Sequence, residues 1–574
     1  MTNAQIAQIF KNIAVYLEMQ DVPFKPRAYE KVAQVLESLD QEVSDVYKKG
    51  GREALENIPG VGASIAEHIE ELIKTGKLKY YEQLKKKMPV KFEELRSVEG
   101  LGPKTIKLLY KKLGIKTLKD LEKAAKAGKI HGITGLGKKT EENILRGIEF
   151  VKKSSGRLLL GEALPQARKI VEDLKEIKEV EAAFECGSLR RRQETVGDLD
   201  FIVFSTKPAE VIKKFLKFPV VKHVYSQGQH KALVRLDSDI DADISVMSSE
   251  SLGSALIAWT GSKQHNISIR TLAEKKGWLL NDYGLWKGKV LLASKTEEDV
   301  YKKLGMDFIP PEIRNASGEV EVALKGRLPK LIKYNDLKGD LQIQTNWTDG
   351  NNSIDEMAEA AKKFGHEYIA ITDHTKSLAM TGGSDEKKLR EQMKAIEDLN
   401  KKISGITILT GAEVNIMKDG SLDIADEVLA ELDVVGISAH SFFHMSKKEM
   451  TERILRAMNN PNVDILFHPT GRIIGQRPEY EVDVERIIEE AKNTGTVLEI
   501  NGYPERLDLK DEYIRMAVEK NVKMAIDSDA HNVAHLPYVE YGIAQARRGW
   551  AEASDIINTR PMKEMLAMLK DGHK

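Results

Sequence analysis

A single cysteine in 574 residues leaves no partner for an internal disulfide, so Cys186 points to a reducing compartment. No apolar run approaches the roughly 20 residues that cross a bilayer, which excludes a membrane-spanning helix. The N-terminus, MTNAQIAQIFKNIAVYLEMQ, sets polar residues among its apolar ones and lacks a signal-peptide cleavage pattern. A cytoplasmic location follows as the expectation. Net charge is missing too, because 88 Lys and Arg balance 88 Asp and Glu. The balance is uneven along the chain: residues 101–150 hold twelve Lys/Arg against five Asp/Glu, a local net of +7. A basic stretch is most often a solvated helix face, unless a motif within it says otherwise.

The chain is too long for one hydrophobic core, and several domains of about 100 to 200 residues are expected. Within and before the basic region three segments resemble one another: IPGVGASIAEHI at 58–69, VEGLGPKTIKLL at 98–109 and ITGLGKKTEENI at 133–144. Each carries Gly-apolar-Gly followed by an amphipathic helical pattern, the signature of a helix-hairpin-helix. The glycine pairs Gly60/Gly62, Gly100/Gly102 and Gly135/Gly137 allow tight turns. Backbone N–H groups there, with the helix N-terminus that follows, can meet a phosphate directly. Lys104 and Lys138 follow two of the pairs, so binding of the DNA backbone is the reading.

From about residue 180 the period changes. EVEAAFECGSL, GDLDFIVFST, KHVYSQGQHKALVRL and DIDADISVM read as strands, with AEVIKKFLKF a helix between them, giving an α+β region. A stretch over 311–336 reads as a linker. Beyond it, HEYIAITDH, GITILTGAEVNI, LDVVGISAH, VDILFHP, TVLEING and VKMAIDSDAH recur at the spacing of a β/α barrel. Polar residues cluster at the C-terminal ends of those strands, where such barrels keep their sites.

The segment GSLRRRQETVGDLDF places three arginines ahead of two aspartates. On a strand, residues i and i+2 share a face, so Asp198 and Asp200 stand side by side and repel. A divalent cation with oxygen ligands resolves that, and such cations commonly bridge carboxylates to phosphates. A third acid is expected from DIDADISV, with Asp243, Asp241 and Asp239 as candidates. Ser188, Arg190, Arg191 and Arg192 could then hold a triphosphate. An ordinary strand-end ion-pair cluster is the plainer alternative.

GSLRRRQETVGDLDFIV resembles the nucleotidyltransferase motif of family X DNA polymerases, WTGSKQHNISIR at 259–270 their nucleotide-binding segment, and IPGVGASIAEHIEELIKTGKL their lyase-type N-terminal domain. The whole chain resembles the bacterial and archaeal form of the family, which carries a C-terminal PHP (polymerase and histidinol phosphatase) domain. The resemblance implies a lyase-like helical domain over 1–88, a second helical subdomain with two hairpins over 89–155 and a nucleotidyltransferase palm over 156–247. It further implies a nucleotide-binding subdomain over 248–315, a linker over 316–335 and the PHP barrel over 336–574.

By the same resemblance Asp198, Asp200 and Asp243 form the metal-binding catalytic triad, with Asp243 at or near the role of general base. Gly187, Ser188 and Arg191 would contact the β and γ phosphates, Trp259, Gly261 and Ser262 would border the nucleotide, Asn266 the base and Arg270 the template strand. The implied chemistry is two-metal nucleotidyl transfer with Mg²⁺ or Mn²⁺, on gapped or primer-template DNA and deoxynucleoside triphosphates. A monomer associated with the nucleoid is expected.

The barrel resembles a PHP phosphoesterase, with Asp349, His374, Glu413, His440, His468, Asp529 and His531 as ligand types at strand ends for Mn²⁺ or Zn²⁺. Core packing rarely produces such a pattern.

Three departures from the family stand out. His68 and Ser64 replace the lysines of lyase-competent members, and imidazole cannot form the imine of a primary amine. Ala258 with Trp259 replaces an aromatic pair beside the nucleotide sugar. DLQIQ replaces Asp-Leu-His-x-His, so Gln342 and Gln344 stand where histidines should ligate. The leading expectation is a gap-filling repair polymerase with an impaired 3′–5′ exonuclease or related phosphoesterase. A non-templated nucleotidyltransferase would not need three DNA-binding hairpins, and a catalytically quiet DNA-end scaffold would not need the aspartates.

Overall fold

The computed structural model describes residues 1–571 apart from 2, 38, 40, 99, 100 and 155. Gly100 therefore lies outside the described residues. The N-terminal region is helical throughout. Helix α1 (Asn3–Met19) buries Ile6, Phe10, Ile13 and Leu17, a spacing of three to four that puts one apolar stripe inward against α2 (Lys25–Glu37). Helices α3 (Ala63–Thr75), α4 (Pro103–Leu113) and α5 (Lys138–Ser154) follow the three glycine-rich turns.

The α+β region forms a five-stranded sheet. Its strands are β1 (Ala182–Glu185), β2 (Asp198–Phe204), β3 (Val221–Gln227), β4 (Lys231–Leu236) and β5 (Asp241–Met247), in the order β1-β2-β5-β4-β3. The expected strand KHVYSQGQHKALVRL is thus a hairpin. Helix α6 (Leu160–Lys175) packs Ala163, Leu164, Ala167 and Leu174 on one face of the sheet; on the opposite face Ile202 and Phe204 are buried against Cys186, Ala255 and Leu256, beyond the aspartates of the same strand. Phe201, Ile202, Val203 and Phe204 are all fully buried, so β2 passes from a polar start to a core strand within its length.

Next come α7 (Leu252–Thr260), α8 (Lys263–Lys275) and a small antiparallel sheet of Leu279–Asn281, Gly284–Lys287 and Val290–Ala293. The segment expected as a linker is packed here: it contains helix Glu319–Leu324, whose Val320 and Ala323 are buried in the same core.

The C-terminal region is a parallel sheet of seven strands in sequential order: β6 (Gly339–Ile343), β7 (Tyr368–Ile371), β8 (Thr407–Asn415), β9 (Val434–Ser438), β10 (Ile465–Leu466), β11 (Val497–Asn501) and β12 (Met524–Asp527). A bridge from Ile343 to Ala530 joins the first strand to the end of the last, giving a nearly closed barrel wrapped by helices. One of its C-terminal helices, α9 (Val539–Arg548), faces the first sheet, and Leu507 and Tyr541 complete that sheet's core. Among the described residues no helix is long and apolar enough to cross a membrane.

Candidate functional site

Parallel pairing of β2 with β5 sets Asp198 opposite Asp241 and Asp200 opposite Asp243. The three candidates for the third acid separate on their partners. Asp241 is engaged by Arg235 at 2.8 Å and Asp239 by Lys222 at 2.6 Å. Asp243 instead feels the other carboxylates: burial and Asp198 raise its pKa, with Lys231 opposing. Asp200 is pushed up to about 7 by burial, then by Asp198 and Asp243. Three carboxylates gathered this closely, two of them held above their ordinary proton affinity, form a set whose charge a hard cation would satisfy, so Asp198, Asp200 and Asp243 fit Mg²⁺ or Mn²⁺.

Gly187 keeps that set open. Its φ is +58°, and a Cβ there would meet Asp200 Oδ2 at 1.8 Å. The turn it starts lets Ser188 and Arg191 border a cavity of about 610 Å³ that also takes in Asp198, Asp200, Trp259, Gly261, Asn266 and Arg270. Ser262 sits at the cavity's edge as the cap of α8, accepting from His265 N at 3.3 Å.

The expectation that all the arginines reach a triphosphate needs correction. Arg190 is turned away into a bidentate pair with Glu297 at 3.0 and 2.6 Å, and Arg192 donates to Leu189 O at 2.9 Å and to Glu185. Only Arg191 of the three lines the cavity; burial and then Arg548 lower its pKa to about 10, still charged at neutral pH. Sequence reasoning missed Lys263 and Asp282 in the wall, the latter paired with Arg270 at 3.4 Å, and Lys231, whose Nζ lies 4.9 Å from the Trp259 ring centroid. Lys263 stands inside the WTGSKQHNISIR segment without being singled out there, and Asp282 and Lys231 lie outside any motif and join the site only through the tertiary fold.

In the helical region Gly62 and Gly102 directly precede α3 and α4, and Gly137 precedes α5. A Cβ at Gly62, Gly102, Gly135 or Gly137 would meet nothing within 4 Å, so these turns present bare backbone; Gly60 and Gly135 take φ of +79° and +92°. Lys104 and Lys138 are exposed beside them. His68 is not an idle surface residue: Tyr29 Oη bonds its Nδ1 at 2.9 Å, and Tyr80 stacks on its ring at 5.0 Å. Burial lowers its pKa, which keeps the imidazole neutral.

The barrel gathers Asp349, His374, Glu413, His440, His468, Asp529 and His531 at one end. Asp349, His374 and His531 can bring ligand atoms within 4.8 Å of one another, as can His374, Glu413 and His440. His468 Nε2 lies 2.8 Å from Glu413 Oε1. These groups fit a borderline metal such as Zn²⁺ or Mn²⁺. The side holding the glutamines does not. Gln344 Nε2 donates to Glu413 Oε2 at 2.9 Å, and Gln342 Oε1 accepts from Asn501 Nδ2 at 3.0 Å. Gln342 Nε2 and Gln344 Oε1 are left buried without partners, and Asp529 is met by Asn501 at 3.2 Å and by Arg506 at 3.2 Å. Donors therefore face the acids where imidazole lone pairs would face a metal. Arg506 carried no signal in the sequence.

A palm with paired carboxylates beside an arginine-bordered cavity, preceded by glycine-turn helical domains and followed by a parallel barrel, defines a nucleotidyltransferase joined to a PHP-type barrel. Family models agree segment by segment: a helix-hairpin-helix domain matches residues 1–78, a SAM-like helix-hairpin-helix tandem 92–149, the DNA polymerase beta thumb 255–315 and the PHP domain 340–558. The chain is 38% identical to the "DNA polymerase/3'-5' exonuclease PolX" of Bacillus subtilis (strain 168), over 99% of this chain and all of that one. It is 28% identical to DNA polymerase lambda of Arabidopsis thaliana, over 54% of this chain and 62% of that one. A probable phosphatase of Thermoanaerobacter sp. (strain X514) is 33% identical over 31% of this chain and 73% of its own length. The chain belongs to the family X DNA polymerases that carry a C-terminal PHP domain.

Proposed function

We propose that this chain is a DNA-templated polymerase that fills short gaps during repair in the cytoplasm, on the nucleoid, as a monomer. The observation that carries the reading is the register that sets Asp200 beside Asp243, next to a cavity bordered by Arg191. Asp198, Asp200 and Asp243 would hold divalent cations, which supply charge that acidifies the primer 3′-OH and offsets the phosphates. Ser188 and Arg191 bind the β and γ phosphates of the incoming deoxynucleotide, and the Gly187 turn brings backbone close to them. Asp243 would take the hydroxyl proton as the 3′-oxygen bonds to the α-phosphorus and pyrophosphate leaves from the opposite side. Trp259, Gly261 and Ser262 shape the sugar and base end, Asn266 faces the base, and Arg270 lies towards the template. The glycine turns and their lysines hold the duplex on either side of the gap by phosphate contact. The palm extends over 156–247 and the PHP domain over 336–574, and the packed helix Glu319–Leu324 belongs with the core that precedes the barrel.

The barrel, on this reading, has weak or no 3′–5′ exonuclease activity. Support comes from Gln342 and Gln344, whose amides are bonded within the site where ligands are needed. The test of the polymerase reading is extension of a labelled primer across a one-nucleotide gap, with complementary and non-complementary nucleotides. Template-directed addition is expected. Addition regardless of template would favour a non-templated transferase, and none at all a DNA-end scaffold.

A further inference from the structure

Glu194 lies between Arg191, which borders the nucleotide cavity, and Asp198, which opens β2. Its backbone carbonyl accepts from Leu160 N at 2.9 Å, and the preceding Gln193 N bonds back to Ser188 O at 3.0 Å, so Glu194 directly follows the residue that closes the phosphate turn and anchors it to α6. The turn itself contains left-handed backbone at both ends, φ +58° at Gly187 and +52° at Arg192. Such a turn keeps its shape only when its surroundings hold it.

The carboxylate of Glu194 is held from the barrel. Arg472 reaches it with both terminal nitrogens, Nη1 to Oε2 at 3.1 Å and Nη2 to Oε1 at 2.5 Å, and Gln545 Nε2 adds a bond to Oε1 at 2.7 Å. Arg472 follows His468 by four residues, its side chain is only 6% exposed, and it is tied to its own domain through the Leu507 carbonyl. Gln545, on α9, is 1% exposed. The contact is tight around this pair: a methyl on Gly161 would come within 2.5 Å of Pro504. Burial favours the neutral acid at Glu194, yet Arg472 outweighs it and the pKa is lowered, so the pair is ionised at neutral pH. A bidentate guanidinium–carboxylate contact fixes direction as well as charge.

Taking the polymerase reading as its basis, we propose that Arg472 and Gln545 are positioning residues of the polymerase site: through Glu194, the barrel holds the Ser188–Arg191 turn in the shape that grips a triphosphate. Asp200 and Asp243 are held independently, by the pairing of β2 with β5. Loosening Glu194 therefore weakens nucleotide binding more than it slows chemistry. A barrel whose own site is impaired still has a task.

The test is full-length Arg472→Ala assayed by single-nucleotide gap filling, with equilibrium binding of dATP and Mg²⁺ measured in parallel. KM and Kd for dATP are expected to rise about tenfold or more while kcat changes less than about threefold. Gln545→Leu is expected to give a smaller rise in the same direction. Arg168→Ala, which breaks the other palm–barrel pair, with Glu540, is expected to change neither. Should Arg472→Ala misfold, Arg472→Gln, which keeps part of the side chain's length and one NH2 donor, is expected to show an intermediate KM. The double variant Glu194→Arg/Arg472→Glu is expected to recover part of the affinity. Unchanged KM and Kd in folded Arg472→Ala or Arg472→Gln would overturn the proposal, as would an equal rise in Arg168→Ala. A wild-type chain that binds dATP but incorporates none would sink the polymerase reading instead, while the binding series still decides the role of Arg472.

Discussion

Gly187→Ala tests the polymerase site with the smallest change that geometry forbids. The added methyl would stand 1.8 Å from Asp200 Oδ2 and 2.8 Å from its Cγ, well inside any non-bonded contact. Either the Asp200 carboxylate or the turn must yield by more than about 1 Å, and a displacement of about that size at a reacting centre costs on the order of 10²-fold in rate. Left-handed backbone at an alanine adds roughly 1–2 kcal/mol of strain, a loss borne by the turn and not by the distant helical domains. In single-nucleotide gap filling under saturating DNA, kcat should therefore fall about 100-fold. Gapped-DNA affinity should stay level, because the glycine-turn helices that bind phosphate are separate from this turn. A folded variant whose kcat stays within about threefold of wild type would refute the reasoning, since Asp200 would then have moved without consequence.

Asp198→Asn, Asp200→Asn and Asp243→Asn should each abolish incorporation and leave gapped-DNA binding intact, whereas Asp241→Asn, which loosens only the Arg235 pair, should be milder; the reverse order for 241 and 243 in steady-state assays would reassign the third acid. Affinity for gapped DNA should fall steeply with salt, and Lys104→Glu or Lys138→Glu should lower it further, because phosphate contacts release counterions; a flat salt titration would remove the hairpins from the interface. Borohydride treatment with a 5′-deoxyribose-phosphate substrate should trap little adduct, as the neutral His68 held by Tyr29 offers no amine; a strong band on a denaturing gel would point to a nearby lysine. In an Asp198→Asn background, Gln342→His with Gln344→His should raise bound Mn²⁺ per chain and primer digestion together. Robust digestion by the unrestored form, lost on His440→Ala, would show that the glutamines were overrated.

Much was legible in the linear chain because the relevant chemistry is local. The i, i+2 spacing of Asp198 and Asp200, the Gly-apolar-Gly turns and the strand-end histidines each need only a few neighbouring residues to define them. A β/α barrel likewise follows from the repeating period of six strand-like segments, whereas the first of its seven strands, Gly339–Ile343, shows only in the fold. What the sequence left open was settled by pairing across long separations. Spacing alone leaves Asp243 one of three candidates and the family resemblance selects it; in the strand register it stands opposite Asp200, while Asp241 and Asp239 pair with Arg235 and Lys222. Arg190, Arg191 and Arg192 look equivalent as neighbours, yet the short helix ends at Arg190 and the backbone turns left-handed at Arg192, so the three side chains diverge: Glu297 and Glu185 take two and the cavity keeps one. The stretch expected as a linker turned out to be packed because Val320 and Ala323 complete a core whose other walls lie far away in the chain. Arg506 and Arg472 had no signal at all, for an isolated arginine in a loop reads as solvated until the fold brings an acid to it, Asp529 in one case and Glu194 in the other. Residue type and spacing thus determined which chemistries the chain could hold, and the tertiary structure decided which charges meet, because an ion pair depends on distance in space and not along the chain.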